Sequence, residues 1–149
     1  MLGLMNFQDS RRPLATLIGA ETFALCAAGW AQAVAPGFSS LRLSGSAGGS
    51  VRATRYGNTA DGFCTGWIGA APNHTLTLER DFASLTLAVT APSDTTLVVL
   101  GPTGTRCSDD NGTDPNPRIS GRFAAGEYRV FVGSYEEGQT VRYTLDVTE

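Results

Sequence analysis

Along the second half of the chain, apolar and polar positions alternate. His74-Thr75-Leu76-Thr77-Leu78 and Leu85-Thr86-Leu87-Ala88-Val89 repeat with period two, and Val141-Arg142-Tyr143-Thr144-Leu145-Asp146-Val147 is the longest such run. A period of two puts one set of side chains on a core face and the other in water, the signature of half-buried strands. Ile119 to Phe123 alternates over a shorter span, and Tyr128-Arg129-Val130-Phe131-Val132 places aromatic and branched residues on a pleated ribbon. Thr96-Leu97-Val98-Val99-Leu100 is continuously apolar, as expected of a strand covered on both faces. Turn signals separate these runs at short intervals: Ala91-Pro92-Ser93-Asp94, Gly101-Pro102-Thr103-Gly104, Ser108 to Pro117, Ala125-Gly126-Glu127 and Glu136-Glu137-Gly138. Many short strands at this spacing predict an all-β fold, a sandwich or a barrel, over residues 61–149. No segment after residue 34 carries helical periodicity over three turns.

The region before Asp61 reads differently. Residues 34–60 are small and polar, with Gly45-Ser46-Ala47-Gly48-Gly49-Ser50 as a flexible tract. They predict a loosely ordered lead-in with one strand near Ser50 to Thr54. Residues 1–33 read as an export signal helix. Arg11 and Arg12 form its positive start, Leu14 to Trp30 is mostly apolar, and Ala31-Gln32-Ala33 fits a small-x-small cleavage site. Cleavage is expected after Ala33, with Ala35 as the alternative, and both the general and the twin-arginine export routes remain open. An uncleaved anchor or an ordinary helix is the competing reading. Glu21 makes a membrane span costly. The expected destination is the periplasm or the medium, with no membrane attachment once the leader is removed.

Composition narrows this further. The chain has 149 residues, a length that fits one domain, and 42% of them are hydrophobic, enough for a core. Its net charge of −3 gives no electrostatic basis for nucleic-acid binding. Without the leader two cysteines remain, Cys64 and Cys107. A pair of cysteines in an oxidising compartment predicts a disulfide; two free buried thiols are the alternative.

Three segments carry a family resemblance. Asp94-Thr95-Thr96-Leu97-Val98-Val99-Leu100-Gly101-Pro102-Thr103-Gly104 is a strand running into a Gly/Pro turn. Cys107-Ser108-Asp109-Asp110-Asn111 is the acidic loop after it. Ala124-Ala125-Gly126-Glu127-Tyr128-Arg129-Val130-Phe131-Val132-Gly133 is followed by Tyr143-Thr144-Leu145. In this order they resemble the bacterial pre-peptidase C-terminal domain, over about half the chain. The resemblance implies an antiparallel, jelly-roll-like β-sandwich over residues 61–149, a stand-alone, exported module used for targeting, binding or maturation rather than catalysis, with an unidentified protein or glycan of the cell envelope as partner.

The chemistry of catalysis is missing from the pattern. His74 is the one histidine, and no Gly-x-Ser-x-Gly elbow accompanies it. One histidine and two paired cysteines do not make a zinc site. No Gly-rich segment ends in the Lys-Ser/Thr of a phosphate loop. The chain is therefore expected not to be an enzyme.

Two loops offer binding chemistry. Asp109, Asp110, Asn111 and Asp114 supply oxygen ligands suited to calcium, with an ordinary acidic turn as the plain alternative. Ser134, Tyr135 and Glu136 lie on an expected hairpin bend and suit contact with a partner. That bend is also similar to the Ser/Gly/Tyr loop of the small periplasmic lysozyme inhibitors, although the order Gly133-Ser134-Tyr135 departs from theirs. Ser120-Gly121-Arg122-Phe123 comes closer to it but has Phe in place of Tyr. This likeness implies an inhibitor of an envelope hydrolase as the second functional reading. Trp67, in Thr65-Gly66-Trp67-Ile68-Gly69, is expected to pack over the disulfide.

Overall fold

The structure, a computed structural model, describes residues 31–149. Its strands run in chain order as β1 Ala31–Val34, β2 Leu41–Ala47, β3 Val51–Arg52, β4 Trp67–Ile68, β5 His74–Leu78, β6 Phe82–Thr90, β7 Thr95–Gly101, β8 Gly104–Ser108, β9 Arg118–Phe123, β10 Gly126–Ser134 and β11 Val141–Thr148, with a 3-10 turn at Ala53–Tyr56. They form two facing sheets, so the expected all-β sandwich is present. One sheet has the order β2-β11-β6-β9, all antiparallel. The other runs β1-β5-β10-β4-β3, with β7 on the second side of β10 and β8 outside β7. Its edge departs from the antiparallel pattern, because β1 pairs with β5 in parallel, Ala31 opposite Thr75 to Val34 opposite Leu78.

The alternation read from the sequence builds the interior. Leu76 and Leu78 of β5, Leu85, Leu87 and Val89 of β6, and Tyr143, Leu145 and Val147 of β11 all turn inward and are buried in one cluster between the sheets. Each such side chain removed from water stabilises the fold by roughly 1.5–3 kcal/mol. The continuous apolar run of β7 also has its predicted cause. Leu97 and Val99 face this core, while Val98 faces a second cluster with Ala53, Cys64, Ile68, Cys107 and Phe131 on the far side of the sheet. The chain between β3 and β4 covers that face. The Cys64–Cys107 disulfide closes it, with sulfurs 43 residues apart in sequence. In the chain-entropy picture a loop of that length contributes about 4 kcal/mol.

Residues 34–60 differ from the expected lead-in. β2 takes up Leu41 to Ala47 and pairs along its length with β11, Leu41 opposite Val147 through Ala47 opposite Val141. Its residues are small because its neighbour is large. A side chain on Gly45 would meet the Tyr143 hydroxyl at 2.6 Å, so the strand interior needs glycine where sequence reading finds flexibility. The strand expected near Ser50 to Thr54 is shorter, Val51–Arg52, and passes into the 3-10 turn.

The leader expected over residues 1–33 lies outside the described residues except for Ala31, Gln32 and Ala33, which sit in β1. Cleavage after Ala33 would remove those three and leave Val34, which is buried against β5 and the core. No helix among the described residues is long and apolar enough to cross a membrane.

Candidate functional site

The end of β10 gathers the contact chemistry. Ser134, the last residue of β10, pairs with Trp67 of β4, and Trp67 in turn pairs with Arg52 of β3. Tyr135 leaves the strand at this point and is 52% exposed. Gly66 permits the approach. It has φ +77°, and a side chain there would meet the Ser134 carbonyl oxygen at 2.5 Å. The result is a shallow cleft of about 300 Å³ lined by Arg52, Thr54, Thr65, Gly66, Trp67 and Tyr135. The Arg52 guanidinium stacks over the Trp67 ring at 4.7 Å, a cation–π contact that holds both side chains in place.

One carboxylate, that of Asp109, touches the lining of the cleft, and the backbone of Asp94 meets it at Tyr135. Thr65 Oγ1 donates to Asp109 Oδ2 at 3.0 Å, and the Tyr135 N–H donates to the Asp94 carbonyl at 3.2 Å. Burial pushes the Asp94 carboxyl above its ordinary value, and the charges of Asp110, Asp109 and Glu136 push it further. Asp94 Oδ1 is buried and has no hydrogen-bond partner.

The predicted contact loop is only partly a loop. Ser134 is fully buried inside β10, and its hydroxyl donates to the Glu136 carbonyl at 2.8 Å. Tyr135 and Glu136 are the members exposed to a partner. The second predicted loop forms a tight turn. Asn111 and Asp114 exchange backbone hydrogen bonds at 2.9 and 3.1 Å around Gly112 and Thr113. Asp114 Oδ1 accepts from the Asn116 backbone and side-chain amides, both at 3.0 Å, while Asp109 is engaged by Thr65. Among the described residues no three His, Cys, Asp or Glu side chains are grouped to hold a metal.

Trp67 differs from its expected place. Strand alternation turns its neighbour Ile68 into the cluster around the disulfide, and Trp67 carries Arg52. The partners Arg52, Thr54 and Asp94 had no signal in the sequence; only the β10-β4-β3 pairing and the loop before β7 bring them to Tyr135.

His74 is half-buried and uses Nε2 on the Tyr143 hydroxyl at 2.7 Å. Burial holds its imidazole below the ordinary value and pushes Tyr143 up to about 12. Its side-chain contact is thus a tyrosine with a suppressed tendency to ionise, not an activated serine. A larger groove of about 640 Å³ lies on the outer face of the β2-β11-β6 sheet. It presents the hydroxyl row Ser44-Thr144-Thr90 and Arg142, and its one aromatic, Tyr143, is buried. That is the ordinary solvated face of an alternating sheet.

No family model matches the chain. An uncharacterized protein of Synechococcus elongatus is 32% identical over 112 residues, which cover 72% of this chain and 75% of that protein. The chain belongs to the family of that Synechococcus protein. The family member described here is also similar in structure to the pre-peptidase C-terminal domain of a collagenase from Bacillus anthracis, with a TM-score of 0.47 and 15% identity over 80% of this chain and 96% of that one. A periplasmic inhibitor of g-type lysozyme from Aeromonas hydrophila is similar with a TM-score of 0.39 and 17% identity, over 78% of this chain and 95% of the inhibitor.

Proposed function

We propose that this protein is an exported, non-catalytic binding module that engages a protein or glycan of the cell envelope through the Trp67–Tyr135–Arg52 cleft. The observation that carries the reading is the convergence of an exposed tyrosine from the loop after β10, a tryptophan of β4 and an arginine of β3 in one cleft. Binding energy in interfaces concentrates in these residue types, because they give large contact area for little lost conformational freedom. The disulfide fits an oxidising compartment. His74 is committed to Tyr143, which supports a non-enzyme.

Affinity capture from envelope extracts tests the reading. The wild-type protein is expected to retain a partner that Tyr135→Ala loses, with the melting temperature of the variant unchanged because Tyr135 is half exposed. Equal capture by both proteins would contradict it. Inhibition of an envelope hydrolase such as lysozyme is the narrower reading. It rests on Tyr135 and Glu136, since Ser134 is buried. Absence of inhibition at micromolar protein against several lysozymes would remove it.

A further inference from the structure

Arg106 and Arg52 each lie over an aromatic ring of another strand, 4.3 Å from Phe123 and 4.7 Å from Trp67. The fork of Arg106 is filled. Its Nε and Nη2 donate to the two carboxylate oxygens of Asp61 at 2.7 and 2.6 Å. The ring supports the flat guanidinium, and the N–H edge in its plane stays open to a carboxylate. Arg52 repeats the first half of this arrangement without the second. The ion pairs among the described residues are Arg42–Asp146, Arg106–Asp61 and Arg122–Asp81, and none involves Arg52. No described residue accepts a hydrogen bond from its guanidinium. Thr54 and Tyr135, which line the same cleft, are exposed as well, and their hydroxyls bond to no described residue. Arg52 thus holds a charged, oriented fork at the cleft with nothing on it to neutralise the charge.

We propose that the cleft docks an acidic segment of a protein partner, seating an aspartate or glutamate carboxylate on the Arg52 fork and the Thr54 hydroxyl. The partner's carboxylate takes the place that Asp61 takes on Arg106. The inference rests on the binding reading above and names the class of its partner. Charge decides where the anion sits. Asp109 is hydrogen-bonded to Thr65 at 3.0 Å, and like charge turns an incoming carboxylate away from that part of the lining toward Arg52 and Thr54. A single side chain suits the cleft better than a sugar ring. The space is shallow, about 300 Å³, and Arg52 already covers a face of Trp67 on which a sugar would stack. Two charge-assisted bonds to one guanidinium also fix orientation, which a lone ammonium does not.

Fluorescence anisotropy with labelled hexaglutamate, hexaglutamine and an oligogalacturonate tests this on the full chain, at about 25 mM and about 150 mM salt. The chain carries a net charge of −3, so an acidic peptide that binds does so through a local site and against the overall charge. Hexaglutamate is expected to bind and to weaken at the higher salt, and the neutral peptide and the acidic glycan to bind at least about tenfold more weakly. Arg52→Gln is expected to weaken hexaglutamate about tenfold. Arg52→Lys, which keeps the charge and loses the fork, is expected to fall between Arg52→Gln and wild type. The lysine keeps a cation for the Trp67 ring, so its melting temperature is expected to hold, which separates lost binding from lost folding. No hexaglutamate binding by the wild type at low salt would overturn the proposal. So would equal binding by wild type and Arg52→Gln, or tighter binding of the oligogalacturonate. If an envelope partner is captured in a Tyr135-dependent way yet held as tightly by Arg52→Gln, this inference fails while the cleft remains the binding site. Loss of the Tyr135 dependence would sink the binding reading itself.

Discussion

At the scale of single residues, side chains serve the fold or the cleft according to their hydrogen-bond partners. Arg106 serves the fold. Its Nε and Nη2 reach both oxygens of Asp61 at 2.7 and 2.6 Å, Nη2 also donates to the Ser120 carbonyl at 2.9 Å, and the group lies 4.3 Å over the Phe123 ring. It therefore ties β8 of one sheet to β9 of the other. Arg106→Ala is expected to cost roughly 2 kcal/mol in urea unfolding, since charge-assisted bonds at a largely buried site are lost together. A melting temperature equal to wild type would contradict this.

His74 gives the protein a pH-dependent stability. The unfolded chain protonates its imidazole near about 6.5, and burial lowers that value in the folded state. Between the two values the unfolded state binds a proton that the native state refuses. Stability contributed by the neutral His74 is thus complete above about pH 6.5 and falls as pH drops toward the folded value. His74→Gln, which can still accept from Tyr143, is expected to flatten this part of the curve in melts from about pH 5 to about pH 7. An unchanged slope would assign the effect to other groups.

At the scale of elements, the strands with strong alternation were legible. β5 occupies the five residues read from the pattern, and β6, β7, β9, β10 and β11 each contain the run that announced them. β2 was hidden, because its inward positions are Leu41, Leu43, Gly45 and Ala47, and the bulk that completes its layer comes from Tyr143 on β11. β8 was hidden because Thr105, Arg106, Cys107 and Ser108 follow a turn and lack an apolar run; its pairing with β7 defines it. Tyr135 and Glu136 could be picked out of the cleft, since a Tyr beside carboxylates at a turn has meaning locally. Arg52 and Asp94 could not, because their relevance depends on strand order. The disulfide pins the segment that carries Thr65, Gly66 and Trp67 to β8. Its reduction is expected to lower unfolding free energy by about 4 kcal/mol in the chain-entropy model, and to disorder the cleft before the main core, visible as early loss of Trp67 fluorescence. Simultaneous loss of both would show that the second cluster has no independent weight. The Asp109–Asn116 turn is held by its own hydrogen bonds, so millimolar calcium is expected to leave the melting temperature unmoved. A clear rise would favour the metal.

At the scale of the whole molecule, two sheets bury an apolar interior, and the cleft proposed for recognition lies at one end. The outer face of the β2-β11-β6-β9 sheet carries hydroxyls and arginines in the solvated pattern expected of an alternating strand set. The opposite sheet is covered by the disulfide-closed segment, and the cleft opens where that segment meets β10. Export belongs to this scale as well. A mature chain beginning at Val34 is the expected mass-spectrometric result, and a chain retaining Met1 would contradict the leader. The central claim is that partners engage the Trp67–Tyr135 end of the sandwich. Backbone amide NMR of the labelled protein, titrated with the partner retained in affinity capture, measures this directly. Shifts are predicted to concentrate at Arg52, Thr54, Thr65, Gly66, Trp67 and Tyr135. Shifts confined to Ser44, Thr90, Arg142 and Thr144 on the outer sheet face would contradict it.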